Sequence, residues 1–324
     1  MSLRWWAVSL ACGFQTFVLR QKRPRLLGMV ITDTCNLDCF YCESKNSGRY
    51  HFTYPEARRA LEEAYVRGHR WLYFTGGEPM IWEDGGKSLI DLARLARGLG
   101  FLDVFIFTNG TRPLSIENCS YVVTVDGPRE AHNRIRQGTY DRIMENVRGA
   151  ATRAVFASIT LTKANVALLE DFVRETTALG IFRGVSFNFL THWPEILQAH
   201  GLSPAQRTET LDRLWRLKQE GHPVVLSRAA YLTFRRNDWK RPIPHIELCT
   251  KERVFLCCRD VDNPSICENC GYANCVEVSQ ILALKPSAAW QALKMVRGPR
   301  GETHSSLPCA APDLLRPDPR AGAG

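Results

Sequence analysis

Between Arg25 and about Thr191, short runs of β-branched and aromatic residues alternate with amphipathic segments, and this alternation constrains the fold before any motif is considered. Strands covered on both faces read as continuous apolar runs, and a helix between successive strands makes those strands parallel. Six runs fit: Leu27 to Ile31, Trp71 to Phe74, Val104 to Thr108, Tyr121 to Val125, Val155 to Leu161 and Gly184 to Phe189. Helical segments fall between most of them, near 55 to 68, 88 to 98, 140 to 150 and 166 to 179. The expected class is therefore α/β, with repeated β-α units and a parallel sheet.

Directly after the first run, Cys35-Asn-Leu-Asp-Cys39-Phe-Tyr-Cys42 places three cysteines on one short loop at C-x3-C-x2-C spacing. Three thiolates can grip three corners of a [4Fe-4S] cube, and the fourth iron then has an open position for small-molecule chemistry. Zinc, or three unrelated core cysteines, would use the same residue type. Zinc sites usually pair two C-x2-C knuckles, and neither a second knuckle nor a His pair lies close by.

The second run is followed by Thr75-Gly76-Gly77-Glu78-Pro79, whose glycines would let backbone approach a ligand that a Cβ would block. A Gly-Gly pair alone is commonly a plain turn. This one ends a strand, one β-α unit after the cysteine loop, on the face where parallel barrels carry their active sites. The next two runs end in Thr108-Asn109-Gly110 and Val123-Thr124-Val125-Asp126-Gly127, and His132-Asn133-Arg134-Ile135-Arg136 comes after. A planar guanidinium such as that of Arg136 suits a carboxylate, whereas a surface turn with a solvated arginine is the plain alternative. His132 reads as structural.

Taken together these motifs resemble the radical S-adenosylmethionine (SAM) superfamily, over about half the chain. The resemblance implies a partial (β/α)6 barrel as the radical SAM core, with a small Cys-rich C-terminal extension. It implies that Cys35, Cys39 and Cys42 hold a SAM-binding [4Fe-4S] cluster. The free iron of such a cluster takes the amino and carboxylate groups of S-adenosylmethionine. Reductive cleavage then gives a 5′-deoxyadenosyl radical that takes hydrogen from an unactivated carbon. Gly76, Gly77, Glu78 and Pro79 would meet the methionine amino group, and Thr124 and Arg136 the ribose and carboxylate. An external electron donor such as flavodoxin or ferredoxin is implied as well.

A second cysteine group comprises Cys249, Cys257, Cys258, Cys267, Cys270 and Cys275. It resembles the SPASM or Twitch extensions that hold auxiliary clusters, but lacks the cysteines to complete two cubes. One auxiliary [4Fe-4S] cluster is expected, these residues competing for four positions. A zinc ribbon would suit two closely spaced pairs equally well. Cys12, Cys119 and Cys309 read as bystanders.

The net charge of +9 is local. Residues 1 to 25 carry five bases and no acid, residues 193 to 244 carry nine bases against five acids, and the rest sums to zero. No basic stripe interleaved with aromatics tracks a phosphate backbone, so nucleic acid is not expected as a partner. Arg4 followed by Trp5-Trp6-Ala-Val-Ser-Leu-Ala-Cys12 imitates a signal peptide, yet no small-x-small cleavage site follows and the run is too short to span a bilayer. At helical spacing Leu3, Ala7, Leu10, Phe14 and Phe17 share a face with bases just beyond. That pattern fits a helix lying in an anionic membrane surface, or one packed on the protein itself.

The expected division is a basic amphipathic helix at 1–24, a radical SAM core at 25–192, a helical connector at 193–244, a Cys-rich auxiliary-cluster segment at 245–297 and a disordered tail at 298–324. Clustered cysteines suit a reducing cytoplasm rather than a disulfide framework. A substrate is expected but not named. The basic N-terminus and Trp193, Trp215, Tyr231, Phe234 and Trp239 lean toward a lipid or other hydrophobic molecule. Peptide modification is the alternative within the family. A non-enzymatic zinc-binding module is the alternative of another class, against which the Gly76 to Pro79 turn counts.

Overall fold

The computed structural model describes residues 3–42, 45–152, 154–191 and 193–296; the expected tail lies outside them. Its frame is six parallel strands in chain order: β1 Leu26–Thr32, β2 Trp71–Gly76, β5 Asp103–Thr108, β6 Ser120–Thr124, β7 Val155–Leu161 and β8 Gly184–Phe189. Each pairs with the next. Between β2 and β5 lies a small antiparallel hairpin apart from the main sheet, β3 Glu83–Asp84 and β4 Lys87–Ser88. The fold is the expected α/β partial barrel.

Alternation along the strands sorts side chains between two environments. Leu72, Phe74, Val104 and Ile106 are fully buried in one core with Leu61 and Ala64 of the helix Tyr54–Arg67 and Leu92 and Ala96 of the helix Leu89–Leu99. Each of the larger of these side chains contributes about 1.5–3 kcal/mol by leaving water. Tyr73, Phe105 and Phe107 alternate with them onto the opposite, half-buried face, Tyr73 and Phe107 meeting edge to face at 5.4 Å. Gly28 of β1 makes room there, since a Cβ would lie 2.2 Å from the Tyr73 Cζ atom.

The connector folds into three helices, Pro194–His200, Pro204–Gln219 and Arg228–Arg236. Ser203 caps the second, with proline at its first position, the Ser203 side chain accepting from the Gln206 N–H. Phe234 is 5 % and Trp239 6 % exposed, and Phe234 packs on Phe187 and Phe189 of β8. Trp215 stacks on Tyr231 at 4.9 Å. Phe234 and Trp239 are thus spent on packing, while Trp215 and Tyr231 are half-buried against each other.

The sheet also has two strands that the sequence pattern did not announce. β9 Ile246–Cys249 runs parallel to β1, with Leu26 opposite Ile246 and Met29 opposite Cys249, and β10 Val254–Leu256 pairs antiparallel to β9. The full order is β10-β9-β1-β2-β5-β6-β7-β8. Further along the same Cys-rich segment, the Phe189 N–H donates to the Gly271 carbonyl at 2.9 Å and Asn188 bridges to Tyr272. One segment thus joins β1 on one side of the frame and β8 on the other.

At the N-terminus, the helix Leu3–Gly13 runs on into a wider turn, Phe14–Val18. Trp5 Nε1 donates to Asp103 Oδ2 at 3.1 Å, and Cys12 is 7 % exposed. The helix therefore rides at the start of β5, at the N-terminal ends of the strands. Among the described residues, no helix is long and apolar enough to cross a membrane.

Candidate functional site

The C-terminal ends of β1, β2, β5 and β6 bring the first three motifs together. The loop leaving β1 is closed on itself: the Asp33 N–H donates to the Tyr50 carbonyl at 2.6 Å, and the Asp33 carboxylate accepts from the Arg49 N–H at 2.8 Å and from Ser47. Asn46 accepts from the Cys35 N–H at 3.0 Å. Cys39 is buried, while Cys35 and Cys42 are half-buried, and all three pack in a small apolar cluster with Leu37, Tyr41, Ile135 and Leu190 that is separate from the main core. Burial pushes the Cys35 and Cys39 thiols up from their ordinary pKa.

The Gly76-Gly77 turn lies against this loop. A Cβ on Gly76 would sit 2.0 Å from the Thr32 carbonyl oxygen, and one on Gly77 2.3 Å from that of Thr34. What the glycines admit is the backbone entering the cysteine loop. The Gly77 and Glu78 N–H groups donate to the Thr32 and Thr34 carbonyls, each at 2.8 Å.

Glu78 is fully buried, and burial raises its pKa although three donors pull the other way. Its Oε1 accepts from Thr108 Oγ1 at 2.6 Å and the Met80 N–H at 2.9 Å, and its Oε2 from the Asn109 N–H at 2.6 Å. The carboxylate therefore ties the end of β2 to that of β5. Asn109 Nδ2 reaches Asn36 Oδ1 at 2.9 Å and the Cys35 sulfur at 4.0 Å, and the Leu37 N–H reaches the same sulfur at 3.4 Å.

Thr124 ends β6 half-buried, opposite Ser158 of β7. Arg136 follows the helix Arg129–Ile135 and is 7 % exposed. Its Nε donates to Asp126 Oδ2 at 2.5 Å, and the Tyr41 hydroxyl donates to the same oxygen at 2.5 Å. Arg136 also hydrogen-bonds the Tyr41 hydroxyl. Asp126 Oδ1 accepts from the Thr160 N–H at 2.9 Å. His132 is buried beside them, its Nδ1 accepting from the Asp126 N–H at 3.2 Å, and burial pushes its pKa down to about 4. A neutral acceptor in that position is structural, as expected. The partnership of Tyr41, Asp126 and Arg136 was missed from sequence, where the only signal was an acid directly after an apolar strand.

Of the second cysteine group the structure gathers five. The Cys257 thiol is in hydrogen-bonding contact with those of Cys258 and Cys275, and Cys257, Cys258, Cys267 and Cys270 line one small cavity beside Trp239. Cys249 stands apart at the end of β9, its charged neighbours being Arg67, Glu247 and Glu63, and burial pushes its pKa up to about 11. Among the described residues, no three His, Cys, Asp or Glu side chains converge on one ion. A cube spreads its ligands over separate irons, so five gathered thiols remain suited to it.

Residues 29–175 match the Radical SAM superfamily. The AdoMet-dependent heme synthase of Oleidesulfovibrio alaskensis is 28 % identical over 177 residues, 48 % of this chain and 43 % of that protein. A probable GTP 3′,8-cyclase of Methanothermobacter thermautotrophicus is 26 % identical over 158 residues, 46 % of this chain and 50 % of that protein. This chain therefore spans about half the length of these curated relatives or less. Streptococcus suis SuiB bound to S-adenosylmethionine superimposes with a TM-score of 0.59 at 12 % identity, over 79 % of this chain and 66 % of that one, a likeness of fold.

Proposed function

We propose that this chain, whose residues 29–175 match the Radical SAM superfamily, is an enzyme of that superfamily, that Cys35, Cys39 and Cys42 hold the [4Fe-4S] cluster and that the chain cleaves S-adenosylmethionine to take hydrogen from an organic substrate. One observation carries the assignment. The three cysteines lie together in an apolar enclosure at the strand ends, and the Cys35 sulfur receives the Leu37 N–H and Asn109 Nδ2, donors suited to a metal-bound thiolate. When bound, the reduced cluster supplies the electron that breaks the cofactor's sulfonium bond.

The chain's own residues orient and enclose. Gly76 to Pro79 set the rim of the site against the cysteine loop, where backbone groups are placed for the cofactor's amino group, and Thr124 is assigned to its ribose. Arg136 is a positioning residue, because its bonds to Asp126 and Tyr41 fix the aromatic that precedes Cys42. The half-buried strand face that carries Tyr73, Phe105 and Phe107 is assigned to a substrate with an apolar or aromatic body. The thiols of Cys257, Cys258, Cys267, Cys270 and Cys275 are assigned to one auxiliary cluster, with Cys249 left out of the set. A cytoplasmic setting with flavodoxin or ferredoxin as donor suits the eleven free cysteines of the described residues.

Anaerobic reconstitution with iron and sulfide, then dithionite and S-adenosylmethionine, is expected to yield 5′-deoxyadenosine. A Cys35→Ala, Cys39→Ala, Cys42→Ala triple variant is expected to yield none. Tightly held zinc with no cleavage in the unaltered chain would leave a binding module instead. Cys270→Ala is expected to lower the iron bound per chain by up to one cube while deoxyadenosine still forms; unchanged iron would remove Cys270 from the ligand set.

A further inference from the structure

The N-terminal helix has two apolar faces, and only one of them is used. At 3.6 residues per turn, Trp5, Val8 and Cys12 fall on one side, where Cys12 is buried, Val8 half-buried and Trp5 bonded to Asp103 at the start of β5. Leu3, Trp6, Leu10, Phe14 and Phe17 fall on the other. Leu3 is 86 %, Leu10 68 %, Phe14 55 % and the following Val18 62 % exposed. Seven of the thirteen exposed large hydrophobic residues described for the chain lie between Leu3 and Leu19, so this is a patch and not scatter.

Charge identifies the occupant. Arg4, Arg20, Lys22 and Arg23 are all exposed beside the stripe, and the first 25 residues contain no acid to offset them. An apolar stripe edged by bases alone complements a surface that is anionic outside and hydrocarbon beneath. A second copy of this chain would bring the same uncompensated bases into contact with their own kind. We propose that this face docks on a bilayer rich in anionic lipid, as a peripheral anchor that does not span it. The proposal stands apart from the chemistry assigned above, because the helix sits at the N-terminal ends of the strands and the cysteine loop at the opposite ends.

The full chain, floated with vesicles of phosphatidylcholine with and without phosphatidylserine, tests this without any turnover assay. Binding is expected only with phosphatidylserine and is expected to weaken with salt. Replacing Arg20, Lys22 and Arg23 by glutamine one at a time should lower binding about fivefold per charge removed. L10E/F14E should abolish it with the circular dichroism and melting temperature unchanged, since the face held by Trp5 and Cys12 is untouched. Equal binding to both vesicle types, or no binding by the unaltered chain, overturns the proposal. So does a dimer in sedimentation equilibrium that L10E/F14E dissociates while vesicles are ignored, which would give the face to a second copy.

Discussion

Asp126→Ala is expected to cost about 3–5 kcal/mol of stability, because it strips the carboxylate bonded to Arg136 and leaves a charge inside the protein. The side chains of the pair are 9 % and 0 % exposed, so water cannot take over the lost contact. The damage should also reach the cysteine loop. Tyr41 donates its hydroxyl to Asp126, and without that anchor the turn from Cys39 to Cys42 loses its link to β6. Urea unfolding of Asp126→Ala, Arg136→Met and the double variant measures the coupling. The double variant should cost well under the sum of the singles, since removing both charges together avoids the unpaired one. Strict additivity would mean that the two residues do not act as a unit. Iron retained after reconstitution should fall in both single variants, more in Asp126→Ala, which also frees Tyr41.

Gly76→Ala should be comparably severe, at about 3 kcal/mol or more, for a steric reason. The residue has φ +144, and its Cβ would stand 2.0 Å from a backbone carbonyl oxygen that cannot rotate away. Either β2 must part from β1 at its end or the cysteine loop must shift, and each outcome displaces Cys35. Gly85 supplies the control. It has φ +53 with nothing within 4 Å of a Cβ, so Gly85→Ala carries only the backbone penalty, about 1 kcal/mol. Thermal melts of the two variants side by side, with iron content, separate strain from collision. Equal losses would show that the approach of Gly76 to Thr32 is not what fixes the loop.

The six frame strands were legible because their apolar runs are buried on one face or both and because helical segments separate them; β7 and β8 span the residues that the pattern marks. β9 was not legible. Ile246-Glu-Leu-Cys249 is four residues long, and its partner β1 lies some two hundred positions earlier, so nothing local distinguishes it from a loop. The helix Arg129–Ile135 escaped for a similar reason, having only seven residues and a proline at its N-cap. At the site, spacing made the three cysteines and the glycine turn visible, since a cluster and a tight turn both need neighbours in sequence. The bond from Tyr41 to Asp126 joins residues 85 positions apart, and such a pairing leaves no periodic trace. Arg136 was singled out for its chemistry, yet sequence could not say that the nearest carboxylate to claim it would be the protein's own.

The Cys-rich segment reaches the frame through main-chain bonds at both ends, β9 along β1 and Gly271 against Phe189. Such bonds are indifferent to side-chain identity, except where a Cβ would collide, as at Gly271, 2.5 Å from the Phe189 carbonyl oxygen. The part that closes the ring can therefore change its sequence while its two joints persist. The superfamily match ends at residue 175, before β8 and before this segment begins. The architecture is in that sense modular: a half that matches the superfamily, and a clasp whose sequence is free to vary between two fixed joints.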